Sequence, residues 1–379
     1  MRWTVHRRRE LFSNGVDRFD YVREAGDERI RFVPFHGFAF SMEGTSVSTA
    51  RHGGPPTQPG VGVLRNSISS KSCIRATPSA PNPGPAMSDP IDFLPGFASH
   101  WIDTDAGRIF ARSHGAGPPV LLLHGFGETN IAWRKIAPAL ARRFTVVAMD
   151  LRGYGWSAAP DSKNGEAYTK RQMAADAVKV MENLGHIQFA LVGHDRGARV
   201  GLRLALDHPG RLTKLAMLDI APLEEGIGDA NLQRVGRAKF LSFEAPRPEN
   251  LIALDASGFL NDALRSGTKS KTLNIFGEAA LAAYAQAFND PTRIHAFCED
   301  FRAGDGADKE QLLADKASGK KIIVPTLVLW SAAHFPQTPS LLEIWREWAD
   351  DVRGEAIDSG HYLAEEAPEA VLKALDAFL

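Results

Sequence analysis

The sequence predicts an α/β fold, a mostly parallel sheet with helices on both faces and a helical cap inserted between two strands. Three features carry that expectation. From Ile91 onward, short apolar runs alternate with longer stretches of helical periodicity, as buried parallel strands joined by crossover helices require. Between Pro222 and about Lys320 the alternation stops, and helix-like segments follow one another without strands. One glycine-flanked turn, Gly193-His194-Asp195-Arg196-Gly197, joins a strand directly to a helix, where open α/β sheets gather their ligands.

In chain order, the candidate strands are Val120 to Leu123, Thr145 to Met149, Phe189 to Val192, Leu215 to Leu218 and Thr326 to Trp330. Each is a short apolar run of strand length. The helical stretches between and after them are Ile131 to Arg142, Thr169 to Leu184, Ala198 to Asp207, Leu341 to Asp350 and Pro368 to Phe378. Within the strandless stretch, Glu278 to Phe288 and Pro291 to Phe301 read as helices of a cap over the strand ends. The expected organisation is a core of residues 87–221 and 321–379 with a cap of residues 222–320.

The first 86 residues stand apart. No acidic residue occurs between Glu43 and Asp89, while seven prolines from Pro55 to Pro85 recur among Gly, Ser and Thr. Such a composition buries too little to order itself. Arg2, Arg7, Arg8 and Arg9 suggest a transit peptide, but those are poor in acid, and here Glu10, Asp17, Asp20 and Glu24 intervene. Residues 1–86 are therefore expected to be a disordered or spurious extension, with translation starting at Met87.

Composition excludes several classes of function. The 379 residues carry 44 Lys plus Arg against 45 Asp plus Glu, a balance that favours neither nucleic acid nor an anionic membrane as partner. No run approaches the ~20 apolar residues needed to span a bilayer, and no secretory h-region stands near the start. A cytoplasmic protein is expected. Cys73 and Cys298 are too few for a disulfide framework and lack the spacing of a structural zinc site; no metal or organic cofactor is expected.

Chemistry concentrates in three places. The turn at Asp195 has the setting of a nucleophile elbow, with Asp in place of Ser; the plainer reading is a glycine-rich turn with Asp as helix N-cap. His124-Gly125-Phe126-Gly127 follows a strand where a backbone N–H can help form an oxyanion hole. Asp358-Ser359-Gly360-His361-Tyr362 sets a histidine in a loop downstream of the elbow, the chain order that this architecture requires.

Together with Leu121-Leu122-Leu123-His124-Gly125-Phe126, Asp150-Leu151-Arg152-Gly153-Tyr154-Gly155-Trp156-Ser157, Gly193-His194-Asp195-Arg196-Gly197-Ala198-Arg199 and Ser359-Gly360-His361, these residues resemble the α/β-hydrolase fold. Within it they are similar to the haloacetate dehalogenases, including fluoroacetate dehalogenases, from about Asp89 to the C-terminus. The resemblance implies a cap after the sixth strand and Asp195 as nucleophile. It makes His361 the general base, Asp219 its acid partner, and Arg196 and Arg199 the carboxylate-binding pair. It also implies a possible homodimer.

The residues support that chemistry in their own right. A carboxylate attacking an ester carbonyl would make only a labile anhydride, whereas attack on a saturated carbon makes an alkyl ester that water can hydrolyse. His361 held by Asp219 would activate that water, and the N–H groups of Phe126 and Arg196 would receive the developing oxyanion. Arg196 and Arg199 lie one and four residues past the nucleophile, where guanidinium forks and a helix N-terminus suit a carboxylate. The alternative for both is a solvent-facing helix position.

The cap departs from the family. Counting back from Pro246-Arg247-Pro248-Glu249-Asn250, Arg237 and Ala238 occupy the places of a halide-binding His-Trp pair. A second Trp falls at Gly267, and in Cys298-Glu299-Asp300-Phe301-Arg302-Ala303 Phe301 stands where the family has Tyr. The expected function is hydrolytic dehalogenation of small 2-halo carboxylic acids, with weak defluorination and Arg237 as a charged substitute donor.

An epoxide hydrolase shares the Asp nucleophile and His-Asp pair but needs cap tyrosines, and Tyr284 is the only Tyr in the cap stretch. A non-catalytic ligand-binding homologue is a third reading, against which the intact Asp195, Asp219 and His361 weigh. Trp133 is expected either to line the pocket or to pack in the core, and His194 and His124 to brace their loops. His295 and His334 have no partner identifiable from sequence.

Overall fold

The computed structural model describes residues 20–22, 31–33, 92–223, 232–335 and 341–379. It divides into two compact units, residues 1–83 and 84–379. In the first, the backbone of Asp20–Val22 pairs antiparallel with Arg31–Val33; the remainder of the extension expected to be disordered or spurious lies outside the described residues.

The second unit is built on one eight-stranded sheet. Its strands are β1 (Ala98–Thr104), β2 (Gly107–His114), β3 (Pro119–Leu123), β4 (Thr145–Met149), β5 (Phe189–His194), β6 (Leu212–Leu218), β7 (Thr326–Ser331) and β8 (Val352–Ile357), in the order β8-β7-β6-β5-β3-β4-β2-β1. The pairings β1–β2 and β2–β4 are antiparallel and the others parallel. The five apolar runs read from sequence fall at β3 to β7. The leading hairpin and β8 were not read as strands: β2, paired on both sides and buried from Ile109 to Arg112, carries arginines within its run, and β1 and β8 lie at the sheet edges, where only one face is covered. Thus β1 keeps a single fully buried side chain, Ile102, and β8 a single one, Ile357.

Alternate side chains divide between two apolar layers. Leu121, Leu123, Leu191, Leu215 and Met217 face one of them, whereas Val120, Leu122, Val192, Ala216 and Leu218 face the other. At about 25 cal/mol per Å² of apolar area removed from water, these fully covered central strands anchor the domain. The helix expected over Ile131 to Arg142 is instead a 3-10 turn, Asn130–Trp133, followed by α1 (Ala137–Leu140). Pro138 in the first turn of α1 supplies no N–H to a preceding turn, so the helix restarts there.

The helices flanking the sheet include α2 (Lys170–Asn183) and α3 (Arg196–Asp207). Between β6 and β7 the described residues form α4 (Leu232–Leu241), α5 (Arg247–Ile252), α6 (Ala256–Gly267), α7 (Glu278–Phe288), α8 (Pro291–Asp305) and α9 (Ala307–Ala317), with no strand among them. The chain ends with α10 (Leu341–Arg346), α11 (Leu363–Glu366) and α12 (Pro368–Phe378). No helix among the described residues is long and apolar enough to cross a membrane.

Candidate active site

At the carboxyl end of β5 the chain turns sharply into α3 through Asp195, whose φ of 43° and ψ of −111° lie outside the usual regions for a residue with a side chain. Glycines on either side make the turn possible. A Cβ at Gly193 would lie 2.6 Å from the Cα of Ala198, and one at Gly197 would lie 2.2 Å from the carbonyl oxygen of Leu123. The strain is therefore held by the surrounding packing. It lifts Asp195 above the sheet, where its Oδ2 accepts a hydrogen bond of 3.2 Å from the N–H of Phe126.

His361 stands opposite. Its Nδ1 donates to Oδ2 of Asp219 at 2.5 Å, and its Nε2 lies 3.7 Å from Oδ2 of Asp195. That last separation is beyond a hydrogen bond, so the imidazole faces the nucleophile without being tied to it. Asp219 follows β6 and, like Asp195, has positive φ, 57°. Its Oδ1 accepts from the N–H of Ser331 at 2.7 Å. Burial opposes its charge, but hydrogen bonds from His334 and His361 hold its carboxyl well below the usual carboxylate range. The buried dyad is thus an anion orienting an imidazole.

The backbone of His361 is gripped from both sides. Its N–H donates to the carbonyl of Gly267 at 2.8 Å, and its own carbonyl accepts from Nε2 of His194 at 2.8 Å. The other nitrogen of His194, Nδ1, lies 2.8 Å from Glu128, whose carboxylate also takes the N–H of Gly125 at 2.9 Å. A carbonyl and a carboxylate only accept, so both ring nitrogens of His194 donate and the ring is an imidazolium. Burial opposes that charge, yet Glu128 pushes the imidazole up to about 9. His194 therefore ties the Phe126 loop to the base loop, a longer reach than packing at the elbow alone.

His334, expected without a partner, places Nδ1 3.3 Å from Oδ2 of Asp219. Its signal was absent from the sequence because the contact joins the ends of two strands. The ligand atoms of Asp219, His334 and His361 lie within 4.8 Å of one another, the spacing of two imidazoles sharing one carboxylate oxygen. His295 likewise finds partners, the carboxylate of Glu249 at 3.1 Å and the carbonyl of Ser162 at 3.0 Å.

The two arginines differ. Arg196 is buried and donates from Nε to Oδ2 of Asp300 at 2.9 Å, and from Nη2 to both Oδ1 and the backbone carbonyl at 2.7 Å. Lys170 and Tyr154 also bond Asp300, the latter through its hydroxyl at 2.7 Å. Burial disfavours the Asp300 carboxylate, but Arg196 and Lys170 hold it down to about 2. The guanidinium of Arg196 lies 4.3 Å from the centroid of the Phe301 ring, and its Nη edge faces Gly304, where a Cβ would come within 3.2 Å. Arg199, one turn on, donates to the carbonyl of Pro222 at 3.4 Å. Both line a cavity of about 180 Å³ with Leu202, Leu223, Ala238 and Phe301; Asp195 is not among its lining residues and immediately precedes Arg196. Solvent-facing helix positions are thus ruled out for Arg196.

Arg237 in α4 is half-buried and donates to the hydroxyl of Ser266 at 2.9 Å. Trp133 does not line a pocket: it is 0% exposed and packs in the apolar layer with Val120, Leu122 and Ile136, on the sheet face away from Phe126 and the cap. The correction has a geometric cause, since Trp133 closes the 3-10 turn Asn130–Trp133 and that turn directs its ring into this layer. His124 accepts from the N–H of Leu151 at 3.1 Å and bonds the carbonyl of Gly125 at 2.9 Å, bracing its own loop.

A strained carboxylate turn, a His-Asp pair on later strand ends and a helical insertion after β6 define the α/β-hydrolase class. The α/β-hydrolase fold model matches residues 118–368, and the chain belongs to that family. A fluoroacetate dehalogenase from Burkholderia sp is 37% identical, covering 75% of this chain and 94% of its own length. A soluble epoxide hydrolase from Corynebacterium sp. (strain C12) is 32% identical, over 70% and 91%. Among solved structures, an α/β-hydrolase from Nostoc sp PCC 7120 matches at 43% identity with a TM-score of 0.71, covering 75% of this chain and 98% of that one.

Proposed function

We propose that this hydrolase removes halide from small 2-halo carboxylic acids through an ester on Asp195. The observation that carries the reading is Asp195 at the strained turn, facing His361 and followed by two arginines on a cavity. An oxygen of Asp195 attacks the carbon bearing the halogen, and the carbon–halogen bond breaks with its electron pair leaving on the halide. His361 then takes a proton from water as the hydroxide adds to the carboxyl carbon of Asp195. Collapse releases the 2-hydroxy acid, whose oxygen recovers that proton from His361. The Phe126 N–H stabilises the intermediate oxyanion, and Asp219 keeps the imidazole oriented. Arg199 and the unbonded Nη1 of Arg196 provide for the substrate carboxylate.

At the positions matched to the family's halide donors stand Ala238, Gly267 and Phe301, none with a side-chain donor, and Arg237. Fluoride, the poorest leaving halide, loses most from that change, so defluorination is expected to be weak. Ion-selective measurement of halide from fluoroacetate and chloroacetate tests it: chloride release should exceed fluoride release, and equal or faster fluoride release overturns the weak-defluorination reading. Turnover in heavy-oxygen water should label the peptide containing Asp195; an unlabelled peptide after turnover overturns the ester mechanism. The Corynebacterium relative supports epoxide hydrolysis as a second reading, and hydrolysis of epoxides with no halide released from any haloacid would favour it.

A further inference from the structure

Four tyrosines lie between residues 92 and 379, and three of their hydroxyls are committed. Tyr154 donates to Asp300 at 2.7 Å, Tyr168 to the carbonyl of Pro160 at 2.8 Å, and Tyr284 to Glu365 at 3.0 Å. Tyr284, the cap tyrosine, is therefore a packing residue tied to α11. Tyr362 differs: it is 3% exposed, and its hydroxyl has no hydrogen-bond partner among the described residues. The hydroxyl is not among the fully enclosed polar atoms, so although the ring is buried the oxygen meets space that a water-sized molecule or ion can touch, and it has a proton to donate there.

The Tyr362 ring sits 5.1 Å from the His361 ring and 5.1 Å from Phe276. It occupies the space opened by Gly267: a Cβ there would lie 2.6 Å from Cε2 and 3.2 Å from the phenol oxygen. The position that the resemblance matches to a halide-binding Trp is glycine here, and the ring that fills the space beside it ends in a hydroxyl. Among the charges that act on that hydroxyl, Arg237 is the strongest, opposed by Glu128 and Asp195. Burial pushes the phenol up, keeping it a donor.

We propose that Tyr362 donates the hydrogen bond that holds the departing halide. This rests on the dehalogenation reading above and names the donor it lacks. The phenol keeps its proton throughout: the halide leaves with the carbon–halogen electron pair and accepts the O–H as it forms, with Arg237 supplying positive charge nearby. The position is matched by no donor in the cap, because Tyr362 comes from the base loop.

The test is Tyr362→Phe, which keeps the ring that packs on Gly267. With chloro-, bromo- and iodoacetate, kcat/KM should fall most for chloride, by about 10- to 100-fold, and least for iodide, at unchanged melting temperature. Equal loss for all three, or none, overturns the proposal. Bromide ion serves as a probe that needs no turnover: its addition should perturb the tyrosine absorbance of the wild type and not of the variant. If the wild type releases no halide from any haloacid, the dehalogenation reading fails, and the bromide titration still decides whether this hydroxyl holds an anion. Absence of a Tyr362-dependent signal there also overturns the proposal.

Discussion

The two halves of the site are built differently. On the sheet side, Asp195, Asp219 and His361 sit at strand ends, two of them with positive φ, and each is fixed by several hydrogen bonds. On the cap side, Arg237, Ala238, Gly267 and Phe301 stand on the three helices α4, α6 and α8, and only Arg237 offers a polar side chain. On the proposed function, one half is preorganised for the reaction and the other selects what leaves and what enters.

The largest expected effect probes the sheet side alone. In His361→Asn the base is gone but the nucleophile remains, so the first step proceeds and the second stalls. Multiple turnover should fall by about 10²- to 10⁴-fold, while one halide is released per site and the protein gains the mass of one carboxymethyl group. Absence of that adduct under conditions where the wild type turns over would break the division, because the first step would then also depend on His361.

A middle-sized effect tests the boundary between the halves. Arg199→Met removes a cation from the cavity while leaving Arg196 locked to Asp300. Loss of a charged hydrogen bond to the substrate carboxylate should raise KM for chloroacetate by about 10- to 100-fold, with a smaller change in kcat. A kcat loss as large as the KM rise would mean that the arginine acts on the transition state, and selection and chemistry would no longer separate.

The sheet side was also the legible one. The elbow, the oxyanion loop and the base loop are each carried by a few consecutive residues, Gly193 to Gly197, His124 to Gly127 and Asp358 to Tyr362, whose spacing shows local geometry directly. The parallel strands were readable because burial on both faces makes them apolar throughout. The edge strands and the broken helix at Pro138 were not. What sequence could not show is who fills whose space. Trp133 turns to the opposite face, His334 reaches Asp219, Asp300 claims Arg196, and Tyr362 fills the room left by Gly267. Each depends on contacts between segments far apart in the chain.

The smallest effect concerns how the sheet side is kept rigid. His194 is an imidazolium because Glu128 and the His361 carbonyl both accept from it, and its folded value of about 9 is above the ordinary 6.5. A raised value means stability that is fully present below about 6.5 and lost as pH rises through about 9. The shift corresponds to a stabilisation on the order of 3 kcal/mol in the acid range. Glu128→Gln should therefore destabilise the protein by a few kcal/mol near pH 6, with the deficit shrinking above pH 9, as read from urea unfolding of both proteins at each pH. Other titrating groups contribute alike to the two proteins and cancel in the difference. A deficit that stays constant across that range would show that His194 is neutral. The link between the oxyanion loop and the base loop would then be an ordinary hydrogen bond, and the sheet side would owe its rigidity to the strained backbone at Asp195 and Asp219.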